Sequence, residues 1–390
     1  MDPVRNPFAP GAGSPPPELA GRDDVINDAE VAVQRLVQGR AARSQILLGL
    51  RGVGKTVLLN KIQTIAERHN CLTSFIEAPE NKALADLLYP HIFKVLRQLS
   101  AVESAKSATH AALRALRSFA SAFKIHYEEY SLSVDPEPGT SDTGNLETDL
   151  PDLFLRIGAA AKAAGKGWAL LIDEVQYLKG DELSALVVAI HRANQRQLPV
   201  MFFGAGLPQL AGLMGEAKSY SERLFAYPAI GPLDEKAAAK AIREPIQNEG
   251  EQINEDALQD IVIGTHGYPY FLQEWGYQAW NTAESSPITK TDVQTAAASA
   301  LKRLDEGFFL VRYDRLTPKE REYVQAMASL GKGPYRSADV ADTLKVNVQT
   351  LAPRRAAIIQ KGMIYSPAHG DIAFTVPMFD DFLRRISSRT

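Results

Sequence analysis

One stretch of eight residues constrains this chain more than any other: Gly49-Leu50-Arg51-Gly52-Val53-Gly54-Lys55-Thr56. It follows the apolar run Ile46-Leu47-Leu48 and precedes Val57-Leu58-Leu59-Asn60-Lys61-Ile62, so it reads as strand, glycine-rich loop and helix. In that context G-x-x-x-x-G-K-[ST] is a phosphate cradle. Glycines let successive backbone N–H groups turn inward, and the following helix presents the positive end of its dipole. Lys55 is placed to reach β- and γ-phosphates, and the Thr56 hydroxyl to ligate Mg²⁺. The backbone of residues 49–57, Val57 included, is the candidate nucleotide-binding segment.

Composition excludes several alternatives. The chain has 390 residues, 45% hydrophobic and 23% charged, as in ordinary folded proteins. That length suggests about two to three domains. With a net charge of −3, any basic surface must be local. Cys71 is the only cysteine, which rules out a disulfide framework. The seven histidines show no metal-ligand spacing. Neither a signal-peptide apolar core nor a membrane-length apolar run is present, so a cytoplasmic location with no membrane partner is expected.

Along the chain, residues 1–17 read as a flexible, Pro-rich lead-in. Strand-like runs at 72–78, 168–174, 199–204 and 226–230 alternate with helical patterns, which implies a mainly parallel sheet covered on both faces. Residues 82–130 read as a helical insertion. Residues 131–149, with Pro136, Pro138, Gly139 and Gly144, read as a flexible loop before a helix starting at Leu150. After Leu233 the pattern turns helical through residue 305. Residues 306–390 read as short helices followed by two short strands at 363–366 and 372–376. A helix over 346–362 contains Pro353, which suggests a start or a kink there.

The second chemical element is Leu170-Leu171-Ile172-Asp173-Glu174, a buried strand delivering two carboxylates at its end. The first acid suits the Mg²⁺ side of a phosphate site and the second suits activation of water.

Together, Gly49–Thr56 and Asp173-Glu174 resemble the Walker A and Walker B motifs of P-loop NTPases, and the Asp-Glu pair is similar to the AAA+ and STAND branches. Leu19-Ala20-Gly21-Arg22-Asp23 resembles the Gly-Arg segment that lies near the adenine in origin-recognition-type AAA+ ATPases. Gly264-Thr265-His266-Gly267-Tyr268-Pro269 is similar to their lid loop, whose proline approaches the nucleotide. The resemblance spans residue 18 to the end. It implies an α/β, three-layer αβα P-loop domain over 18–233, a helical lid over 234–305 and a winged helix over 306–390. It implies ATP and Mg²⁺, with Gly21, Arg22, Gly267 and Pro269 at the nucleotide, Thr56 and Asp173 at the metal, and Lys55 and Glu174 catalytic. Arg223 is the candidate arginine finger and Arg243 a candidate lid sensor. The chain departs from the family at Phe202–Gln209, which offers no polar side chain where the fourth strand usually carries a sensor.

In the last segment, Lys345, Arg354, Arg355 and Lys361 are the candidate contacts to double-stranded DNA. Two readings stay open: an ATPase whose hydrolysis repositions the winged helix, or a nucleotide-gated DNA-binding or protein-recruiting scaffold with little hydrolysis. A protein partner or a second copy of the chain is compatible with either.

Overall fold

The structure, a computed structural model, describes residues 1–11, 16–125 and 135–387. Residues 12–15 of the expected lead-in, 126–130 of the insertion, 131–134 of the loop, and 388–390 lie outside the described residues.

The apolar runs form five parallel strands: β1 (Ser44–Leu48), β2 (Cys71–Glu77), β3 (Gly167–Asp173), β4 (Val200–Gly206) and β5 (Phe225–Ala226). Their order is β2-β3-β4-β1-β5. The two-residue period of a strand sorts their side chains into two cores. Leu47, Leu171 and Phe203 pack with α1 (Asp23–Val37) and α2 (Lys55–Arg68). Ile46, Leu170, Ile172 and Phe202 face the other way, onto α3 (Leu84–Ser100), α4 (Lys106–Ala122), α5 (Leu146–Ala163) and α6 (Gly180–Gln195). All seven residues of β3 and of β4 are buried, as doubly covered parallel strands require. Because β4 lies between β1 and β3, the phosphate loop and Asp173 emerge on either side of its carboxyl end. That is the crevice where open α/β sheets bind ligands.

β5 is shorter than the expected 226–230. Pro228 has no N–H for a ladder, yet its carbonyl accepts from Leu48 N–H at 3.0 Å, and Ile230 N–H donates to Leu48 O at 2.6 Å. The chain follows β1 without completing a strand. Two short helices, α7 (Leu210–Ala217) and α8 (Ser221–Leu224), precede it.

The expected start of α5 at Leu150 also shifts. Asn145 caps Leu146–Ala163, its side chain accepting from Glu147 N–H at 2.9 Å. Asp149, fully buried, accepts from the Thr143 and Gly144 amides and the Thr143 hydroxyl at 2.8–3.2 Å. These bonds tie down the end of the segment expected to be a flexible loop.

The segment expected as the lid, and called so below, comprises α9 (Glu235–Asn248), α10 (Glu255–Thr265), α11 (Pro269–Thr282) and α12 (Lys290–Leu304). Helical backbone continues from α12 through a wider π turn, Asp305–Leu310, into α13 (Val311–Asp314). Next come α14 (Pro318–Ser329), β6 (Tyr335–Arg336), α15 (Ser337–Thr343), α16 (Val348–Gln360), β7 (Ile364–Tyr365), β8 (Asp371–Phe374) and α17 (Phe379–Ser387). The last three strands form an antiparallel sheet in the order β6-β8-β7. Pro353 lies inside α16 without ending it. A single apolar cluster runs from Trp275 and Phe271 of the lid through Phe308 and Phe309 to Phe379 and Phe382, so lid and C-terminal segment share a core.

The N-terminal residues depart most from expectation. Residues 1–11 are docked on α11. Phe8 is 2% exposed and lies where a side chain at Gly276 would stand, 2.7 Å from an added Cβ. Trp280 Nε1–H donates to Asp2 O at 2.8 Å, and the Asn6 side-chain amide donates to Tyr277 O at 3.0 Å. Proline and glycine content suggested flexibility, but a buried aromatic and these bonds anchor the strap. Among the described residues no helix is long and apolar enough to cross a membrane.

Candidate active site

The phosphate loop leaves β1 where packing is tightest. A Cβ on Gly49 would stand 2.2 Å from Ile230 O, so only glycine fits. Gly52 and Gly54 have φ of +81° and +93°, the left-handed region that favours glycine. The Lys55 side chain is buried at the start of α2 and its Nζ donates to Gly49 O at 2.9 Å and Leu50 O at 3.0 Å. Burial lowers its pKa; Glu174 and Asp173 oppose that shift and Arg51 adds to it.

Thr56 Oγ1 donates to Asp173 Oδ2 at 2.5 Å. The other carboxylate oxygen accepts from Glu174 N–H at 2.8 Å. Burial raises the pKa of Asp173; the Thr56 hydrogen bond opposes this and Glu174 reinforces it. A hydroxyl and a carboxylate are thus held together beside the glycine loop, in a donor set of oxygens suited to Mg²⁺.

Glu174 follows with φ +55°. Its Oε2 accepts from Gln176 Nε2 and lies 4.0 Å from Arg51 Nη2. Gln176 Oε1 accepts from Leu207 N–H at 3.1 Å. The polar group at the end of β4 therefore comes from Gln176, two residues past Glu174, and not from β4 itself.

The loop is contacted from three sides. Arg22 Nη2 donates to Gly231 O at 2.5 Å and Val53 O at 3.3 Å. Tyr270 N–H at the start of α11 donates to Gly52 O at 3.2 Å. Arg51 N–H donates to Thr375 O at 3.1 Å, and Arg51 Nη2 to the Tyr177 hydroxyl at 2.6 Å. A Cβ on Gly362 would lie 2.6 Å from that same Nη2. The C-terminal segment is therefore seated directly on the phosphate loop.

A cavity of about 400 Å³ opens at this junction. Arg51–Thr56, Val57, Glu174, Arg22 and Pro269 line it. Its size falls within the range of small-molecule sites. Glycine N–H groups, a buried ammonium and the paired Thr56–Asp173 oxygens fit a nucleoside triphosphate with Mg²⁺. Gly49 and Leu50 lie beneath the wall and supply carbonyls to Lys55. Gly21 is also outside the wall. Its φ is +66°, and an added Cβ would meet Ala237 at 2.8 Å, so it allows the Gly-Arg segment to approach α9 closely. Gly267 plays a similar part at the lid, where an added Cβ would be 2.3 Å from Leu233 O.

Other candidates are elsewhere. Arg243 pairs with Glu255 at 2.6 Å, away from the cavity. Arg223 is exposed on α8 and outside the cavity wall. Lys361 is committed to Glu320 at 2.5 Å, and Arg355 donates to Ser337 at 3.0 Å, so the four C-terminal cations do not form one free surface.

Sequence reading missed several wall residues: Ala9, Gly11 and Pro16 of the N-terminal strap, Tyr270 of the lid, and Phe308 and Arg312 of the C-terminal junction. Only Tyr270 carried a local signal, its place directly after Pro269. Gln176 could have been suspected from its position two residues beyond Glu174.

Two family models match the chain. An AAA ATPase domain covers residues 18–203, and a domain of unknown function (DUF8462) covers 306–383. A search of curated proteins finds no match. Among solved structures, a Walker-type ATPase of Pyrococcus abyssi aligns over 94% of this chain and 96% of its own, with 16% identity and a TM-score of 0.53, and shares the fold. Fainter likenesses are to the Orc1 protein of Aeropyrum pernix in complex with DNA and to the RuvB Holliday junction branch migration motor of Thermotoga maritima. The first has 12% identity, 99% and 98% coverage and a TM-score of 0.48. The second has 15% identity, 94% and 95% coverage and a TM-score of 0.46.

Proposed function

We propose that this AAA+ P-loop ATPase works as a Mg²⁺-dependent switch, in which the phosphates held at residues 49–56 govern how the C-terminal segment sits on the loop. The observation that carries this reading is the contact between output and sensor: Arg51 N–H, in the middle of the loop, donates to Thr375 O.

In this reading Lys55 leaves the Gly49 and Leu50 carbonyls for phosphate oxygens, which compensate its buried charge. Thr56 and Asp173 would hold Mg²⁺, which would supply positive charge against the phosphates. Glu174 accepts the proton of the attacking water as the water oxygen bonds to the γ-phosphorus and the bond to the ADP oxygen breaks. For that task its carboxylate must turn from Arg51, and Gln176 anchors the turn from the end of β4. Arg22 and Pro269 hold the base end between strap and lid.

We read α14, α15, α16 and the sheet β6-β8-β7 as a winged helix. With Lys361 and Arg355 used internally, Lys345 and Arg354 are left for double-stranded DNA. Val346 and Val348, each 41% exposed at the start of α16, favour the reading in which this helix recruits a protein. DNA binding that weakens steeply with salt would decide for DNA. The exposed Arg223 side chain makes no ion pair among the described residues and is available to the nucleotide of a neighbouring copy.

The test is steady-state ATP turnover of the full chain. Lys55→Ala and Glu174→Gln should each lower it by about a hundredfold or more. Unchanged turnover in either variant contradicts the assignment.

A further inference from the structure

The cavity wall contains a cation that neither motif explains. Arg312, the second residue of α13, comes from the C-terminal junction and not from the sheet or lid. Its guanidinium carbon lies 4.0 Å from the centre of the Phe308 ring, and Nη1 donates to Phe308 O at 2.7 Å. The Phe308 ring stacks on Tyr270 at 4.8 Å, and Tyr270 N–H is bonded to Gly52 O. The guanidinium is therefore fixed relative to the phosphate loop by two rings and a backbone bond.

Arg312 also lacks an anion. Arg303, Arg315 and Arg321 nearby in the chain pair with Glu274, Glu80 and Asp314. Among the described residues Arg312 makes no ion pair, and the charge it faces across the cavity includes Arg51. Burial, with Arg51 adding to it, pushes its pKa down to about 10, while Tyr270 and Glu174 act the other way. Three guanidinium groups, those of Arg22, Arg51 and Arg312, and the Lys55 ammonium thus line one cavity that also holds Glu174. Positive charge gathered in a partly buried site is stabilised by a bound anion of matching geometry, and a guanidinium fork matches phosphate oxygens.

We propose that Arg312 contacts the terminal phosphate of ATP from within the same chain. ATP then holds α13, and with it the C-terminal segment, on the phosphate loop, and loss of the γ-phosphate releases that hold. The phosphate contact stands on geometry alone. Its consequence for the C-terminal segment rests on the switch reading.

The experiment is calorimetric titration of the full chain with ADP and with the non-hydrolysable analogue AMP-PNP, both with Mg²⁺. It uses the wild type, Arg312→Ala, Arg312→Lys and, as a control on the next residue pair, Arg315→Ala. Loss of a charge-assisted contact should weaken AMP-PNP by about tenfold or more in Arg312→Ala and leave ADP within about threefold. Arg312→Lys should recover part of the loss, and Arg315→Ala should show no such split. Retained ADP binding certifies that each variant is folded. Equal weakening of both nucleotides, or of neither, overturns the contact. In parallel, hydrogen exchange over residues 306–316 of the wild type should be slower with AMP-PNP than with ADP. Equal exchange alongside an affinity split keeps the contact and overturns the switch.

Discussion

Gly362 is the position where docking of the C-terminal segment can be perturbed most cleanly. It follows α16 with φ +63°, and an added Cβ would stand 2.6 Å from Arg51 Nη2 and 2.7 Å from the Tyr177 hydroxyl. Gly362→Ala therefore has two separable costs. A left-handed alanine costs about 1 kcal/mol, which falls on the C-terminal segment whether docked or not. The contact adds a second cost. Both neighbours are ends of flexible side chains and can move, but moving them breaks the 2.6 Å Arg51–Tyr177 hydrogen bond, worth about 1–2 kcal/mol with one partner charged. Only this second cost bears on docking, and it corresponds to roughly a 5- to 30-fold shift. Since Phe308 and Arg312 line the cavity, fluorescently labelled AMP-PNP, the nucleotide that holds the segment docked, should leave the variant about 5 to 30 times faster in stopped-flow displacement. Gly370→Ala is the control. Gly370 has φ +85° in the turn before β8 with nothing within 4 Å, so alanine there carries the backbone strain without touching the loop. It should lower the melting temperature and leave release unchanged. If Gly362→Ala and Gly370→Ala release AMP-PNP at the same rate, the C-terminal segment does not gate the cavity.

Two further outcomes follow from burial. Phe8→Ala removes the anchor of the N-terminal strap, a truncation worth about 3–5 kcal/mol in a well-packed core. Ala9 and Gly11 then leave the wall, and ADP affinity measured by calorimetry should fall by roughly tenfold; unchanged affinity would show that the strap takes no part in binding. Burial pushes the Cys71 thiol up to about 11 from an ordinary 9, opposed by a backbone hydrogen bond from Gly167. Above pH 9 the unfolded thiol ionises before the folded one. The contribution of Cys71 is thus intact below pH 9 and declines by about 2–3 kcal/mol as pH rises to 11. Urea midpoints of the wild type should fall across that window more than those of Cys71→Ala, and parallel curves would contradict the buried thiol.

The parts legible in the sequence were those built from neighbours in the chain. Gly49–Thr56 and Leu170–Glu174 carry their chemistry and their strand or helix context in a few consecutive residues, so their places beside one cavity could be anticipated. The strand order could not, because it depends on which strands meet across the sheet. Asn145 and Asp149 moved the start of α5 because a cap and a buried carboxylate outweighed nearby Pro and Gly. Phe8, Gln176 and Arg312 were missed for a common reason. Each acts through a partner distant in sequence or through a turn whose geometry the letters do not state: Gly276, Leu207 and, by way of Phe308, Tyr270. Lys361 and Arg355 looked like a free basic face until Glu320 and Ser337 were found against them.

The central claim is that phosphate occupancy at residues 49–56 changes how the C-terminal segment sits on the ATPase domain. The direct measurement is the distance between spin labels at Lys162 and Gln349, in a chain with Cys71→Ala, by pulsed electron resonance. Both positions are exposed, one on α5 and one on α16. The account predicts a narrow distance distribution with Mg²⁺ and AMP-PNP and a shifted or broadened one with ADP. Identical distributions in the two states would contradict it.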